Sequence, residues 1–391
     1  MTYTLLSLGF LAAATAAGTL IPRAFGARVQ WAAVAIAAAA LVVLTVVFDS
    51  IMIGLDLFSY APSLISGIHV GLAPVEDLAY PLAAVVALPA LWTLLARRKD
   101  PSTGLLLRRA IVSSRPISWI NTAFPFAAAM LLTTREVDWL LVVGAIYYLV
   151  PYNLAMYGIN DVFDYESDVN NPRKGGLEGA LLPPALHRPL LWLVLLSNVP
   201  FLLVLVVAGG PWAWVAIAVS TFAVIAYSVP GLRLKERPVW DSITSSTHFV
   251  SPAVVGLTLA GSSFDAGLIL VLAAFFLWGM AAHAFGAVQD IIPDRNAGIA
   301  SIATAFGARV TTRLSLALWL VAGLLTLFAP WPAPLAAAIA IPYLVNVAPW
   351  FRVEDARSPE TNRAWRRFIG LNYLSGFFVT LILILFWRLT A

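Results

Sequence analysis

About twelve stretches of roughly 20 apolar residues recur along this chain, and a soluble architecture cannot absorb them. They lie near 3–21, 30–48, 78–95, 116–134, 138–159, 189–208, 211–229, 245–262, 266–287, 312–328, 333–348 and 369–388. Each can cross the hydrocarbon core as a helix, which satisfies its backbone polar groups within the segment. The span near 116 is the least apolar, because Ser118, Asn121 and threonines interrupt it. Composition agrees: 61% of the 391 residues are hydrophobic and 11% are charged, too few charges to cover a soluble surface. The expected fold is an all-α integral membrane protein. A three-helix domain over 1–100 precedes a nine-helix bundle over 101–391. The boundary falls in Lys99-Asp100-Pro101-Ser102-Thr103-Gly104, which reads as a turn-rich linker.

Charge placement orients the spans. If each crosses once, all of the 24 Lys and Arg residues except Arg135 and Arg388 fall on one side. The positive-inside rule makes that side cytoplasmic and puts the N-terminus outside a multi-pass cell-membrane protein. The clusters Arg97–Arg115 and Arg352–Arg367 need no reading beyond topology and attraction to anionic lipid. Scattered over short loops, they do not form a nucleic-acid-binding module. Met1-Thr2-Tyr3-Thr4 lacks the positive region of a signal peptide, so the first helix is expected to be retained. With no cysteine, neither a disulfide framework nor a thiolate metal site is available.

Two acidic motifs recur at the cytoplasmic ends of spans. In Asn160-Asp161-Val162-Phe163-Asp164-Tyr165-Glu166-Ser167-Asp168, a continuous helix would put Asp161, Asp164 and Asp168 on one face. In Asp290-Ile291-Ile292-Pro293-Asp294, the carboxylates are four residues apart, unless Pro293 breaks the helix early. Crowded carboxylates near a membrane repel one another and are costly to desolvate, and a divalent cation relieves both problems. Magnesium prefers oxygen ligands and is commonly held by carboxylates together with substrate phosphates. Two such clusters suit a diphosphate bridged by more than one ion. Basic groups stand nearby, with Arg173 and Lys174 after the first motif and Arg233 and Lys235 in the loop after Tyr227. Arg can grip phosphate through paired hydrogen bonds, and Lys supplies a point charge.

From about 108 to 391, the chain resembles the UbiA superfamily of membrane prenyltransferases, which have nine transmembrane helices. The matching residues are Asn160, Asp161, Asp164 and Asp168; Asp290, Asp294 and Gly298; Tyr227, Arg233 and Lys235; and the opening Ser114-Arg115-Pro116-Ile117-Ser118-Trp119. The resemblance implies Mg²⁺ held by Asp161, Asp164, Asp168, Asp290 and Asp294. Asn160, Arg173, Lys174, Tyr227, Arg233 and Lys235 would bind the diphosphate. Ionisation of an allylic diphosphate then gives a carbocation that an electron-rich acceptor attacks. The stretch His283-Ala284-Phe285-Gly286-Ala287-Val288-Gln289-Asp290 is most similar to the lycopene elongase branch. That branch implies transfer of C5 units from dimethylallyl diphosphate to the ends of lycopene or a related polyene. Trp119, Tyr157, Phe163 and Tyr227 either face such a cation or pack the core. His248 and His283 read as packing or hydrogen-bonding residues, and the sequence assigns no general base.

Residues 1–96 are similar to the three-helix subunits of two-component carotenoid cyclases, through Pro74-Val75-Glu76-Asp77 before the third span. The family carries Glu at the position of Asp77. Polyene cyclisation needs an acid, and a carboxyl in an apolar setting has the raised pKa to supply a proton. Glu76, with Asp77 beside it, is the candidate. The plainer alternative is that both favour a helix N-terminus. A half-cyclase implies a second cyclase subunit as partner. Two other readings stay open: a prenyltransferase for an aromatic acceptor with an accessory anchor, and a non-enzymatic transporter or scaffold.

Overall fold

The computed structural model describes residues 2–24, 29–96, 101–169 and 181–390. The chain divides into two compact units, Met1–Arg108 and Arg109–Ala391.

Unit 1 holds α1 (Thr2–Ala24), α2 (Trp31–Gly54) and α3 (Ala79–Ala96). Between α2 and α3 lies a small antiparallel hairpin, β1 (His69–Val70) and β2 (Ala73–Pro74). Gly71 turns it with a φ of 65°, a conformation that costs glycine nothing. One 3₁₀ turn, Val75–Leu78, leads from the hairpin into α3. Helix α1 packs on α3. At Gly18 a side chain would meet the Val86 carbonyl oxygen at 2.6 Å, so only glycine permits this approach.

The segment read as a turn-rich linker is helical from Pro101 onward: α4 spans Pro101–Ser113. Proline suits a first helical turn because its missing N–H has no intrahelical partner there. Lys99 and Asp100 lie outside the described residues.

Unit 2 continues with α5 (Trp119–Thr134), α6 (Trp139–Leu149), α7 (Pro151–Phe163), α8 (Tyr165–Asp168), α9 (His187–Ala208) and α10 (Pro211–Ser228). Then come α11 (Trp240–Leu259), α12 (Ala266–Val288), α13 (Ile291–Asn296), α14 (Ile302–Leu327), α15 (Ala340–Val347) and α16 (Asn362–Leu389). The span expected at 138–159 is thus two helices, because Pro151 opens a new one. Capping side chains set two of the helix starts: Asp138 accepts from the Leu141 N–H at 2.8 Å, and Asp265 from the Leu268 N–H at 2.7 Å.

Ten helical segments among the described residues are long and apolar enough to cross a membrane. Helix α11 is not one of them, although a span was expected there. Its first half carries Asp241, Ser242, Thr244, Ser246 and His248, all buried. It tolerates them because α5, α10 and α12 surround it, so its polar face meets protein and not lipid. Small residues bring these neighbours close. A side chain at Gly256 would meet the Phe126 carbonyl oxygen at 2.7 Å, and one at Gly279 would meet the Ser246 hydroxyl at 2.4 Å. Farther along the bundle, Trp278, Phe285, Trp319, Tyr343 and Phe368 form an aromatic core, with Trp319 and Tyr343 stacked at 5.5 Å.

The contact at Gly256 is backbone against backbone and cannot relax by a rotamer change. Gly256→Val is expected to destabilise unit 2 by about 1–3 kcal/mol, the usual cost of overpacking. Thermal unfolding in detergent checks this, and an unchanged melting temperature would contradict the close α5–α11 packing.

Candidate active site

The first acidic motif does not lie on one helix. Helix α7 ends at Phe163, Asp164 takes φ −100° and ψ 0°, and the short α8 begins at Tyr165. The expected single face through Asp161, Asp164 and Asp168 is therefore broken at its middle residue. The second motif repeats the device. Helix α12 ends at Val288, Asp290 takes φ −97° and ψ 0°, and α13 begins at Ile291. Pro293 does not break this helix; it stands in the first turn, where no intrahelical N–H bond is lost. The Asp294 N–H bonds the Asp290 carbonyl at 2.9 Å, so these two carboxylates do share a face. Gly298 then ends the turn at φ 69°.

Charge has been drawn onto the first motif. Asp161 and Asp164 are 1% and 8% exposed, and uncompensated carboxylates would be prohibitive at such burial. The Arg115 guanidinium stands 3.4 Å from Asp161 and stacks on the Tyr157 ring at 4.2 Å. Tyr157 is one turn before Asp161 on α7, so one helix face presents both partners. Asp164 is met by Arg233 at 3.4 Å and by the Lys235 ammonium. Burial pulls the Lys235 pKa down, against the opposing attraction of Asp164. Arg115 and Arg233 both hold left-handed backbone, with φ of 49° and 38°. That conformation is costly for a side-chain-bearing residue and is retained where the surroundings over-determine it. The Asn160 amide donates to the Ser228 hydroxyl at 3.1 Å, joining the motif to the end of α10.

The structure thus gathers Asn160, Asp161, Asp164, Arg233 and Lys235. The Tyr227 ring, one residue before the end of α10, stands edge-on to His248 at 5.2 Å and to His283 at 6.4 Å. Arg173 and Lys174 lie outside the described residues, as does the side chain of Asp168. Among the described residues, no group of three or more His, Cys, Asp or Glu could hold a metal by itself. Sequence reasoning missed Arg115 as a site residue because a loop arginine beside a span reads as a topology marker. It missed Asp241 because a single acid at a helix start reads as a cap.

Unit 1 contains its own buried carboxylates. Asp77 is 7% exposed and accepts from the hydroxyls of Tyr3 at 2.8 Å and Tyr60 at 2.5 Å. Glu76 is 3% exposed and accepts from the Thr4 hydroxyl and the Ser66 N–H, both at 2.6 Å. Burial would raise its pKa, but these donors outweigh it and hold the carboxyl down at about 2. That is opposite to the raised value expected from an apolar setting.

A multi-pass bundle with two acid-bearing helix breaks, the first met by Arg115, Arg233 and Lys235, is the arrangement of a membrane prenyltransferase. The chain belongs to the UbiA prenyltransferase family, which matches residues 122–382. It is 50% identical to the lycopene elongase/hydratase of Corynebacterium glutamicum over 278 residues, covering 71% of this chain and 97% of that protein. It is 47% identical to the C50 β-cyclic carotenoids biosynthesis protein LbtBC of Dietzia sp. over 380 residues, covering 88% of each. That coverage is more than unit 2 alone supplies. In fold it is similar to a UbiA homolog from Archaeoglobus fulgidus bound to DMAPP and Mg²⁺, with a TM-score of 0.52 and 19% identity. The similarity spans 68% of this chain and 98% of that one.

The hydrogen bonds to Glu76 give a pH prediction. A carboxyl whose folded pKa is depressed adds stability above its ordinary value of 4.5 and loses it as pH falls through about 2. Thermal unfolding of the wild type in detergent is expected to lose more stability across that window than Glu76→Gln does. Equal slopes would contradict the hydrogen-bonded carboxylate.

Proposed function

We propose that this chain transfers C5 prenyl groups from dimethylallyl diphosphate to the two ends of lycopene, giving C45 and then C50 carotenoids. In the same reading, unit 1 contributes half of a carotenoid cyclase. What carries it is the pair of matched helix breaks at Asp164 and Asp290, with Arg115, Arg233 and Lys235 converging on the first.

The residues fit magnesium. Both motifs offer oxygen donors, Asp161, Asp164, Asp168, Asp290 and Asp294 with the Asn160 amide, and neither contains histidine or cysteine. Bound there, Mg²⁺ would supply Lewis-acid charge to the departing diphosphate. Arg115, Arg233 and Lys235 would donate charge-assisted hydrogen bonds to the same oxygens, joined by Arg173 and Lys174. The carbon–oxygen bond breaks with its electron pair leaving on diphosphate, and an allylic cation remains. The terminal double bond of lycopene attacks it, forming a carbon–carbon bond and a tertiary cation, which loses a proton or takes up water. The Tyr227 ring, set against His248 and His283, would face the cation. The apolar surroundings keep bulk water from it. The basic side of the bundle, with both motifs, would be cytoplasmic and the N-terminus outside.

For unit 1, Glu76 with Asp77 is the proposed proton donor to a polyene end, acting with a second polypeptide. The name of the Dietzia relative supports a link to cyclic products. Because Thr4 and Ser66 hold Glu76 ionised, this reading requires the partner or substrate to displace those donors.

Expression in a lycopene-producing bacterium tests the proposal by pigment mass. New C45 and C50 species are expected, and an Asp161→Asn/Asp290→Asn double variant is expected to abolish them. Cyclic products are expected only when a second subunit is co-expressed. Unchanged lycopene, with the protein present in the membrane, would exclude a carotenoid acceptor and point to an aromatic one.

A further inference from the structure

We infer that His283 is the base that takes the proton released at the end of prenyl transfer, with Asp241 as the residue that positions it. The inference rests on the elongation reading above and assigns a step which that reading leaves without a residue.

The geometry sets an imidazole where such a proton appears. His283 lies five residues before the end of α12 at Val288, roughly 8 Å back along the helix from the break that carries Asp290, at about 1.5 Å per residue. A diphosphate held at the two motifs would point its prenyl carbon away from the charged end, toward that depth. The acceptor double bond and the cation it becomes lie one bond farther on. The groups facing His283 come from two neighbouring helices: Asp241 and His248 on α11 and Tyr227 on α10.

Asp241 is built as a fixed support. Its side chain is fully buried. One oxygen accepts from the Ser242 N–H at 2.7 Å, and the other from the Ile302 N–H at 2.7 Å. The second oxygen faces His283 Nε2 at 3.8 Å, a separation that a small ring shift closes to a hydrogen bond. The His283 side chain keeps 20% exposure, so it borders open space while its support does not. With Nε2–H directed at Asp241, the lone pair is on Nδ1. A second imidazole marks the same spot as polar. His248 is 3% exposed, and its Nε2 has no hydrogen-bond partner, a deficit that a water molecule or a substrate group would make good.

The step balances. The attack of the polyene leaves a tertiary cation. In one course a neighbouring C–H bond breaks, its electrons form a new double bond, and the proton goes to His283 Nδ1. In the other, a water oxygen bonds the cation, an O–H bond breaks, and the proton goes to the same nitrogen. Asp241 stabilises the imidazolium in both, and no oxidant or reductant is needed.

The test uses the purified full-length chain in liposomes containing lycopene, with dimethylallyl diphosphate and Mg²⁺. His283→Gln is expected to lower kcat about 100-fold, the scale of general-base catalysis. KM for the diphosphate should stay within about twofold, and an unreactive thiolo-diphosphate analogue should bind as in the wild type. Asp241→Asn is expected to lower kcat by a smaller factor, again with KM unchanged. His283→Gln turning over within about threefold of the wild type, or losing analogue affinity in parallel with turnover, would overturn the inference. Wild-type protein that makes no C45 or C50 product would overturn the elongation reading, and the assignment of His283 with it. Product oxygen from ¹⁸O-labelled water identifies water as the proton source; unlabelled product identifies the C–H bond.

Discussion

Charge in an apolar surrounding is the constraint on which this structure depends. Asp161 and Asp164 are buried at the end of a membrane bundle, and neither could remain ionised there alone. Arg115, Arg233 and Lys235 meet that demand from two separate loops, two of them in left-handed backbone. The same demand shapes α11, whose polar residues are tolerable only because other helices enclose it. The glycines at 256 and 279 that let those helices approach therefore serve the charged site as well as the packing. A bundle without these compensations would not hold carboxylates at this place.

Breaking a helix is how the fold aims those carboxylates. At both Asp164 and Asp290, the chain leaves a long helix, passes through near-identical dihedrals and enters a short one. The recurrence at two positions gives a pair of similar acidic corners, which suits a ligand with two phosphates and more than one ion.

Much of this was legible in the sequence, for physical reasons. Most membrane spans are long and unmistakably apolar, so their rough positions follow from hydropathy. The motif carboxylates stand out because acids are rare beside such spans. What escaped detection depends on backbone detail or on partners distant in sequence. The break at Asp164 has no proline or glycine to announce it. Pro101 looked like a linker residue and opens a helix. Arg115 finds Asp161 across 46 positions, and Asp241 finds Ile302 across 61, separations that spacing rules do not reach. Glu76 was expected as a proton donor in an apolar setting, but its ionisation depends on Thr4, 72 residues away. Local apolarity suggested a neutral acid, and the tertiary hydrogen bonds made an anion.

The central claim is that the two acidic corners ionise an allylic diphosphate and deliver its C5 group to a polyene. Inorganic diphosphate release by the purified full-length chain, measured together with C45 and C50 formation from lycopene, addresses it most directly. The account predicts one diphosphate released for each C5 unit added, with both lost on chelation and both restored by Mg²⁺. Prenyl transfer that persists under chelation, or diphosphate release with no carotenoid extended, would contradict it.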